Sequence, residues 1–310
     1  MSYKAKPSAH RGKAEYAVLT LLLGAVAISL APIFVRISDL EPVVSAFYRL
    51  ILAVPFFITL PMLGPARSEK KIRSFKSISL RDLILIFLCG AMLAADLALW
   101  HISINWTSVA NATLFNNCAP IILLVFGWVF FGERITRDIL IALAVATAGM
   151  GLLIGENFAL SPSQLGGDLV AVSTAFFYAI YLFLVKSLRA RYSTFSIMAG
   201  TSLVSGTCLF VVSIASGWEL LPADLNNWLI VLALAIICHV IGQSLIAKAL
   251  AHLPTTVASF GLLLQPVSAA ILAWLLFQEA LSAIQILGGV FVMCGIMLSN
   301  RAFSLQEEAR

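Results

Sequence analysis

Long apolar runs alternate with short polar breaks along almost the whole chain. A helix rises about 1.5 Å per residue, so roughly 20 apolar residues are needed to cross the hydrocarbon core of a bilayer. Ten runs have about this length, and each is predicted to be a transmembrane helix. These segments, numbered first to tenth in chain order, are residues 16–35, 43–63, 82–103, 108–131, 136–155, 167–186, 194–215, 228–249, 254–277 and 283–300.

The composition is that of a protein whose solvent is lipid. Of the 310 residues, 61% are hydrophobic and only 11% are charged, whereas a soluble domain carries about 25% charged residues. The run that starts at Tyr16 is too long for a signal-peptide core and lacks an A-x-A cleavage site, so it is predicted to be a retained helix. The predicted fold class is an all-α integral membrane protein with ten transmembrane helices.

The charged residues predict the orientation of these helices. If the N-terminus is cytoplasmic, every Lys and Arg except Arg36 and Arg49 falls in a cytoplasmic tail, break or helix end. The opposite breaks carry acids, namely Asp39, Glu41, Glu156, Asp168, Glu219, Asp224 and Glu279. This asymmetry follows the positive-inside rule. We therefore predict a bacterial inner-membrane protein with cytoplasmic tails at 1–15 and 301–310, and the net charge of +5 gives no indication of nucleic-acid binding.

The chain also repeats itself, at the offset of 146 residues that separates Pro120 from Pro266. Other pairs at this offset are Ala112 and Ala258, Trp128 and Trp274, Glu133 and Glu279, and Gly149 and Gly295. The repeat predicts two five-helix units, residues 16–156 and 166–300. Because five is odd, the second unit must enter the membrane from the opposite side, which is the inverted-topology repeat of many secondary transporters.

Each unit ends in a pattern that resembles the EamA-like family of the drug/metabolite transporter superfamily. The matching stretches are Thr107-Ser108-Val109-Ala110-Asn111-Ala112, Pro120, Trp128 and Gly132-Glu133-Arg134, then Leu253-Pro254-Thr255-Thr256-Val257-Ala258, Gln265-Pro266, Trp274 and Gln278-Glu279, and also Ala46-Phe47-Tyr48-Arg49. The resemblance implies a 5+5 inverted bundle with a central substrate cavity lined by the first four helices of each half. It also implies export, less often import, of amino acids and related metabolites.

Two charged residues lie at membrane depth, where a charge is costly and therefore a functional candidate. Arg49 and Asp96 lie at similar depth on the second and third segments, so an ion pair is geometrically feasible. Three roles stay open at this point. The pair could only hold helices together, could gate the transporter or bind a zwitterionic substrate, or Asp96 could couple transport to protons, which a nearby Arg49 would oppose.

Further polar residues within the helices are candidates for the cavity wall. Asp96 and Trp100 are four residues apart on the third segment, and His239 and Gln243 have the same spacing on the eighth. Asparagine and glutamine need partners in lipid, so Asn116, Asn117 and Gln265 are also predicted substrate-binding residues, as are the aromatic Tyr178 and Tyr181. For all of these, helix packing or a buried hydrogen bond is the alternative role.

The prolines and acids that recur in both units suggest mechanical roles. Pro120 and Pro266 each remove a backbone hydrogen bond near the middle of a helix and are predicted hinges, with a tolerated kink as the alternative. Glu133 and Glu279 are expected to be exposed acids that cap the helix following each of them.

The predicted function is secondary-active transport by alternating access, with a small-molecule substrate and the lipid bilayer as partners. An intramembrane enzyme and a channel are the alternatives, but the sequence contains no DDxxD, HExxH or GxSG motif and no P-loop. The five cysteines form neither CxxC nor Cys/His clusters, so we expect no metal site, no cofactor and no disulfide framework. Protons are one option for the coupling ion, and a monomer or weak dimer is expected.

Overall fold

The structure is a computed structural model that describes residues 8–63, 78–107, 112, 115–154, 164–278 and 280–308. Within these ranges the regular secondary structure consists of helices. Nine of the described helices are long and apolar enough to cross a membrane, and their bounds follow the predicted segments closely. They are Glu15–Ile37, Pro42–Met62, Leu80–Trp100, Arg137–Ile154, Leu165–Arg189, Thr194–Ala215, Leu225–Leu250, Thr255–Phe277 and Ala283–Phe303.

The fourth predicted segment, 108–131, is described only in part. Ala119–Phe131 is an apolar helix of 13 residues, whereas residues 108–111 and 113–114 lie outside the described part of the chain. Glu279, the expected second cap, also lies outside it. The described residues therefore establish a polytopic helical membrane protein.

Prolines determine where several of these segments are broken. A proline has no N–H to donate to the carbonyl four residues earlier, so a helix tends to stop there. Three helices each end four residues before a proline. The helix Ser8–Ile28 ends before Pro32, Pro42–Ile51 before Pro55, and Thr255–Leu262 before Pro266. They are followed by Ala31–Ile37, Ala53–Leu63 and Leu264–Phe277. In the fourth segment, Asn116 is the last helical residue before a turn and lies four residues before Pro120.

The eighth segment consists of three helical pieces of two kinds, α and π, and contains no proline. It runs as the α-helix Leu225–Ala233, the π-helix Leu234–Gln243 and the α-helix Ser244–Leu250. The i, i+4 face predicted for His239 and Gln243 assumed an α-helix, so that assumption is corrected here. The wider turn of a π-helix is frequent at functional positions.

Segments of one half pack mainly against segments of the other. The first packs on the eighth, the second on the seventh, the third on the sixth and the fifth on the tenth. In the last of these pairs, Gly149 lies against the backbone of Val292 and Gly295 lies against Ala146. At the offset of 146 residues, Gly149 corresponds to Gly295 and Ala146 to Val292, so the two contacts are equivalent. The residue number on the tenth segment falls as the number on the fifth rises, so the two helices are antiparallel.

The same reasoning shows that two more pairs are antiparallel. In the first pair, Gly24 lies against Ile246, whereas Ile28 lies against Gly242. In the second pair, the Cys89 thiol is 3.7 Å from the Tyr181 carbonyl oxygen on the sixth segment. Further along these helices, Gly167 is packed against the backbone of Trp106. Small residues at these crossings allow the backbones to approach closely, as is typical of membrane helices.

The surface of the bundle is apolar where lipid would contact it. Large side chains such as Met62, Leu80, Trp128, Phe130 and Leu225 are exposed. Exposed apolar surface of this extent is stable only in an apolar solvent, so it agrees with the nine helices that are long enough to span a bilayer.

Candidate functional site

A polar cavity lies between the two halves of the chain. It has a volume of about 190 Å³, below the roughly 300–1,000 Å³ of sites for drug-sized ligands. Both halves contribute polar side chains to its wall, namely Arg49, Asp96, Trp100, Asn116 and Asn117 from the first and Tyr178, His239, Gln243 and Gln265 from the second. The cavity therefore brings together nine of the ten predicted substrate-binding residues.

Asp96 and Arg49 both line this cavity. The ion pairs of the described residues do not include one between these two side chains. Asp96 Oδ1 accepts a hydrogen bond of 2.9 Å from Asn116 Nδ2. The same Asn116 nitrogen donates to Thr174 Oγ1, also at 2.9 Å. Arg49 lies close enough for its charge to act on Asp96, but its buried Nε has no hydrogen-bond partner among the described residues.

The polar pair on the eighth segment is held by hydrogen bonds within the second half and by a ring contact with the first. His239 is buried, and its Nε2 lies 2.7 Å from Ser202 Oγ. Its ring also meets the edge of Phe57, at 5.6 Å between ring centroids. Gln243 Nε2 donates a 3.0 Å hydrogen bond to the Tyr181 hydroxyl. Both side chains are thus held in fixed positions at the cavity wall.

Tyr181 has a different place from the one predicted. It is fully buried and is not among the residues that line the cavity. Its ring stacks on that of Tyr178, with centroids 6.0 Å apart, and it contacts Gln243 from behind. We therefore correct its predicted role from substrate contact to support of two cavity residues, because its position one turn further along the sixth helix places it in the core.

Of the two predicted hinges, Pro266 lines the cavity, whereas Pro120 is buried and does not. Both lie at breaks in their helices, and the break before Pro120 brings Asn116 and Asn117 to the cavity wall. The matching break in the first segment was not predicted from the sequence; there Ile28, Ser29, Ala31 and Pro32 line the cavity. Pro32, in the middle of an apolar run, was the signal that could have indicated it.

The cavity is closed on one side by a packed core. Along the sixth and eighth helices, the positions beyond the cavity are Tyr181, Val185, Ile246 and Leu250, all at most 1% exposed. The helix ends beyond this core carry Lys186 and Arg191, and we call this side of the bundle the basic end.

At the basic end, a half-buried carboxylate joins the two halves. Glu133 Oε1 accepts hydrogen bonds from the Thr255 N–H at 2.6 Å and from Lys186 Nζ at 3.2 Å. Its Oε2 accepts from the N–H and the hydroxyl of Thr256, at 2.8 and 2.7 Å. Burial raises the pKa of Glu133, but the charge of Lys186 and these hydrogen bonds outweigh it and hold the pKa below its ordinary value.

This contact corrects the expected role of Glu133. It is only 15% exposed and caps the helix Thr255–Leu262, not the helix Arg137–Ile154 that follows it in sequence. A second link at the same end joins Asp82 to Arg191 and to the Tyr192 hydroxyl, the latter at 2.7 Å. Both links connect a carboxylate of the first half to residues of the second.

Comparison with known proteins identifies the family. The model of the EamA-like transporter family matches the chain twice, over residues 15–155 and 165–301. The pseudopaline exporter CntI of Pseudomonas aeruginosa is 26% identical over 73% of this chain and 78% of its own. A probable terminal-alkyne amino-acid exporter of Streptantibioticus cattleyicolor is 26% identical over 71% of this chain and 74% of its own. A solved crystal structure with 17% identity superposes with a TM-score of 0.77 and covers 93% of this chain and 96% of its own, which shows a shared fold.

Proposed function

Because this chain belongs to the EamA-like transporter family, we propose that it exports small metabolites, amino acids or related amphipathic solutes, across the bacterial inner membrane. The observation that carries this proposal is the polar cavity whose wall comes from both halves. A carrier must expose one site alternately to two sides, and a site between two halves that move against each other meets this need.

The direction in which helices pack supports ten membrane crossings. The third and sixth segments are antiparallel neighbours, as are the first and eighth. Two antiparallel crossings must be separated by an even number of other crossings. Between the third and sixth, the segments available are the fifth, Arg137–Ile154, and the fourth, of which Ala119–Phe131 is described. An even number is reached only if the fourth also crosses.

Internal symmetry supports the 5+5 inverted arrangement. One family model matches each half, and the contacts of Gly149 and Gly295 exchange under the repeat offset. The fourth and ninth segments end at equivalent positions with the same left-handed backbone, φ 65° at Gly132 and φ 57° at Gln278. Since these equivalent helices belong to units of five, the second unit runs through the membrane in the opposite sense.

We place the basic end in the cytoplasm because of the charge asymmetry between the breaks. The cavity in this structure is then closed towards the cytoplasm by the core and by the Glu133 and Asp82 links. Export requires these links to open when substrate enters. Since the sequence contains no P-loop, the energy for transport comes from a gradient or from exchange. Proton coupling through the Asp96 carboxyl is one option, and the counterflow assay described below tests it with an imposed pH gradient.

The orientation can be tested by labelling single cysteines in a cysteine-free background. Ala190→Cys lies between the sixth and seventh segments, and Ser216→Cys lies between the seventh and eighth; both positions are exposed. An impermeant maleimide added to intact cells should label Ser216→Cys at once and Ala190→Cys only after permeabilisation. Equal labelling of both positions in intact cells would contradict the proposed orientation.

The function can be tested by counterflow in proteoliposomes. Vesicles preloaded with one unlabelled amino acid or related metabolite at a time should take up the labelled form against its gradient, with saturable kinetics. Conductance without saturation would support a channel, and product formation without flux would support an enzyme. Repeating the assay under an imposed pH gradient, with Asp96→Asn as the comparison variant, decides whether protons are coupled to transport.

A further inference from the structure

A second pocket opens on the surface of the bundle, between the fifth and tenth segments at the basic end. Its volume is about 310 Å³, larger than that of the central cavity and within the range of pockets that hold small molecules. Asp138 and Ile141 of the fifth segment and Leu298, Arg301 and Ala302 of the tenth line it. None of these residues lines the central cavity, so this pocket is separate from the proposed transport site.

The pocket has a buried floor and an exposed rim. Ala302 forms the floor and is only 4% exposed, whereas Ile141 and Leu298 on the rim are 56% and 39% exposed. The methyl side chain of Ala302 leaves space above it that a larger residue would fill. The groove therefore opens on the outer side of the two helices, where the bundle meets the membrane.

This groove is polar towards the membrane surface and apolar towards the membrane interior. Asp138 lies in the first turn of the fifth helix, and Arg301 lies in the last turn of the tenth membrane span. Ile141 and Leu298 each lie three residues further into the membrane, on the same helix faces. The order fits an amphipathic ligand whose charged part stays at the interface while its apolar part extends along the bundle.

The two charged side chains of the groove are open to a ligand. Asp138 and Arg301 are both exposed, and neither takes part in the ion pairs or side-chain hydrogen bonds of the described residues. A guanidinium binds a phosphate through two parallel hydrogen bonds, and a carboxylate accepts hydrogen bonds from an ammonium group. A purely anionic head group would be attracted by Arg301 but repelled by Asp138. The pair therefore favours a head group that carries both a phosphate and an ammonium group.

We propose that this groove binds a zwitterionic phospholipid, phosphatidylethanolamine, with its phosphate at Arg301, its ammonium group at Asp138 and an acyl chain over Ile141 and Leu298. The fifth segment belongs to the first half of the chain and the tenth to the second. The bound lipid thus bridges the two halves at the basic end. This role goes beyond transport and does not depend on which solute enters the central cavity.

Lipids with identical acyl chains and different head groups test this assignment. Binding to the delipidated protein in detergent is measured by native mass spectrometry and by the rise in melting temperature on lipid addition. Phosphatidylethanolamine carries both charges, phosphatidylcholine lacks the N–H donors, and phosphatidylglycerol lacks the ammonium group. We expect phosphatidylethanolamine to bind at least about 3-fold more tightly than either of the others, which is the strength of a partly exposed charge pair. Soluble glycerophosphoethanolamine, which has no acyl chains to cover the apolar rim, should not displace the lipid at equal concentration.

Variants of the two charged residues should change this pattern in different ways. Arg301→Gln should weaken the binding of all three lipids by about 3-fold or more, because each of them carries the phosphate. Asp138→Asn should abolish the preference for phosphatidylethanolamine without weakening the binding of phosphatidylglycerol. Arg137→Gln and Glu219→Gln make the same changes at exposed positions outside the groove, so both should bind lipid like the parent protein.

Three outcomes would overturn the assignment. The parent protein could bind the three head groups equally, or Arg137→Gln could weaken binding as much as Arg301→Gln. Either result would show a general attraction of lipid to the basic end without a specific site. Displacement of the lipid by glycerophosphoethanolamine at equal concentration would show that the groove takes a soluble phosphate ester instead. None of these measurements involves transport, so their result is separate from the test of the proposed function.

Discussion

The carboxylate of Glu133 accepts a hydrogen bond from the backbone N–H of Thr255, across the boundary between the two halves of the chain. Thr255 is the first residue of the helix Thr255–Leu262, so the acid neutralises the positive end of that helix dipole and, through Thr255 and Thr256, satisfies two of its unpaired N–H groups. The same carboxylate holds Lys186. One side chain thereby ties together the ends of three segments at the basic end.

We expect Glu133→Gln to destabilise the protein. The substitution leaves the half-buried Lys186 without its counter-charge and replaces charge-assisted hydrogen bonds by weaker ones, so the free energy of unfolding should fall by about 1–3 kcal/mol. Chemical denaturation in mixed micelles measures it. Glu219→Gln makes the same change at an exposed acid and should alter stability by less than about 0.5 kcal/mol; equal effects of the two substitutions would argue against a stabilising role for the contact.

The stabilisation provided by Glu133 should depend on pH. The pKa of Glu133 is held below its ordinary value in the folded protein, so ionised Glu133 stabilises the fold at pH values above the ordinary glutamate pKa. That stabilisation is lost as the pH falls through the lowered, folded-state value. The difference in stability between the parent protein and Glu133→Gln should therefore be constant near neutral pH and shrink in acid. A difference that grows as the pH falls would contradict this.

Gly149 is expected to be intolerant of even a methyl group. A Cβ at this position would lie 2.6 Å from the backbone nitrogen of Val292, so Gly149→Ala must separate the fifth and tenth segments. We expect a loss of about 1–3 kcal/mol in unfolding free energy. Gly151, two residues away, has open space around it, so Gly151→Ala should be neutral or slightly stabilising. Similar melting temperatures for the two variants would show that the helices do not depend on this close approach.

Gln278 is strained where its counterpart in the first half is not. Both residues end a helix in the left-handed region, with φ 57° at Gln278 and φ 65° at Gly132, but a side chain makes this conformation unfavourable by about 1–2 kcal/mol. Gln278→Gly should therefore raise the free energy of unfolding by about 1 kcal/mol, and Gly132→Gln should lower it by a similar amount. A Gln278→Gly variant no more stable than the parent would show that its hydrogen bond to the Leu275 carbonyl outweighs the strain.

Pro266 should keep the ninth segment able to flex. Pro266→Ala supplies an N–H that can bond to the Leu262 carbonyl and bridge the break at Leu263. We expect slower hydrogen–deuterium exchange of residues 255–277 in lipid nanodiscs and a several-fold slower counterflow. Pro42→Ala is the control, since Pro42 lies in the first turn of its helix, where no N–H bond is needed. Unchanged exchange and flux would rule out a hinge at Pro266.

Much of the fold could be predicted from the chain alone, because lipid imposes simple rules on sequence. A span must be long and apolar, and a charge within one must face protein or water. These rules predicted the nine described spans to within a few residues. They also selected Arg49, Asp96, His239 and Gln243, which converge on one cavity. The repeat was visible because a proline, a glycine and a terminal acid recur at equivalent places in both halves.

What only the tertiary structure decided is which partner each of these residues has. Glu133 could be recognised from sequence as a helix cap, but local spacing pointed to the next helix, whereas the acid reaches a helix more than a hundred residues away. Tyr181 was assigned to the cavity by composition, yet the sixth helix turns it into the core. Arg49 and Asp96 had matching depth, but the hydrogen bond that Asp96 accepts comes from Asn116. Depth and polarity are properties of one segment and can be read along the chain, while contacts depend on how helices rotate and cross, which is set by packing between distant residues.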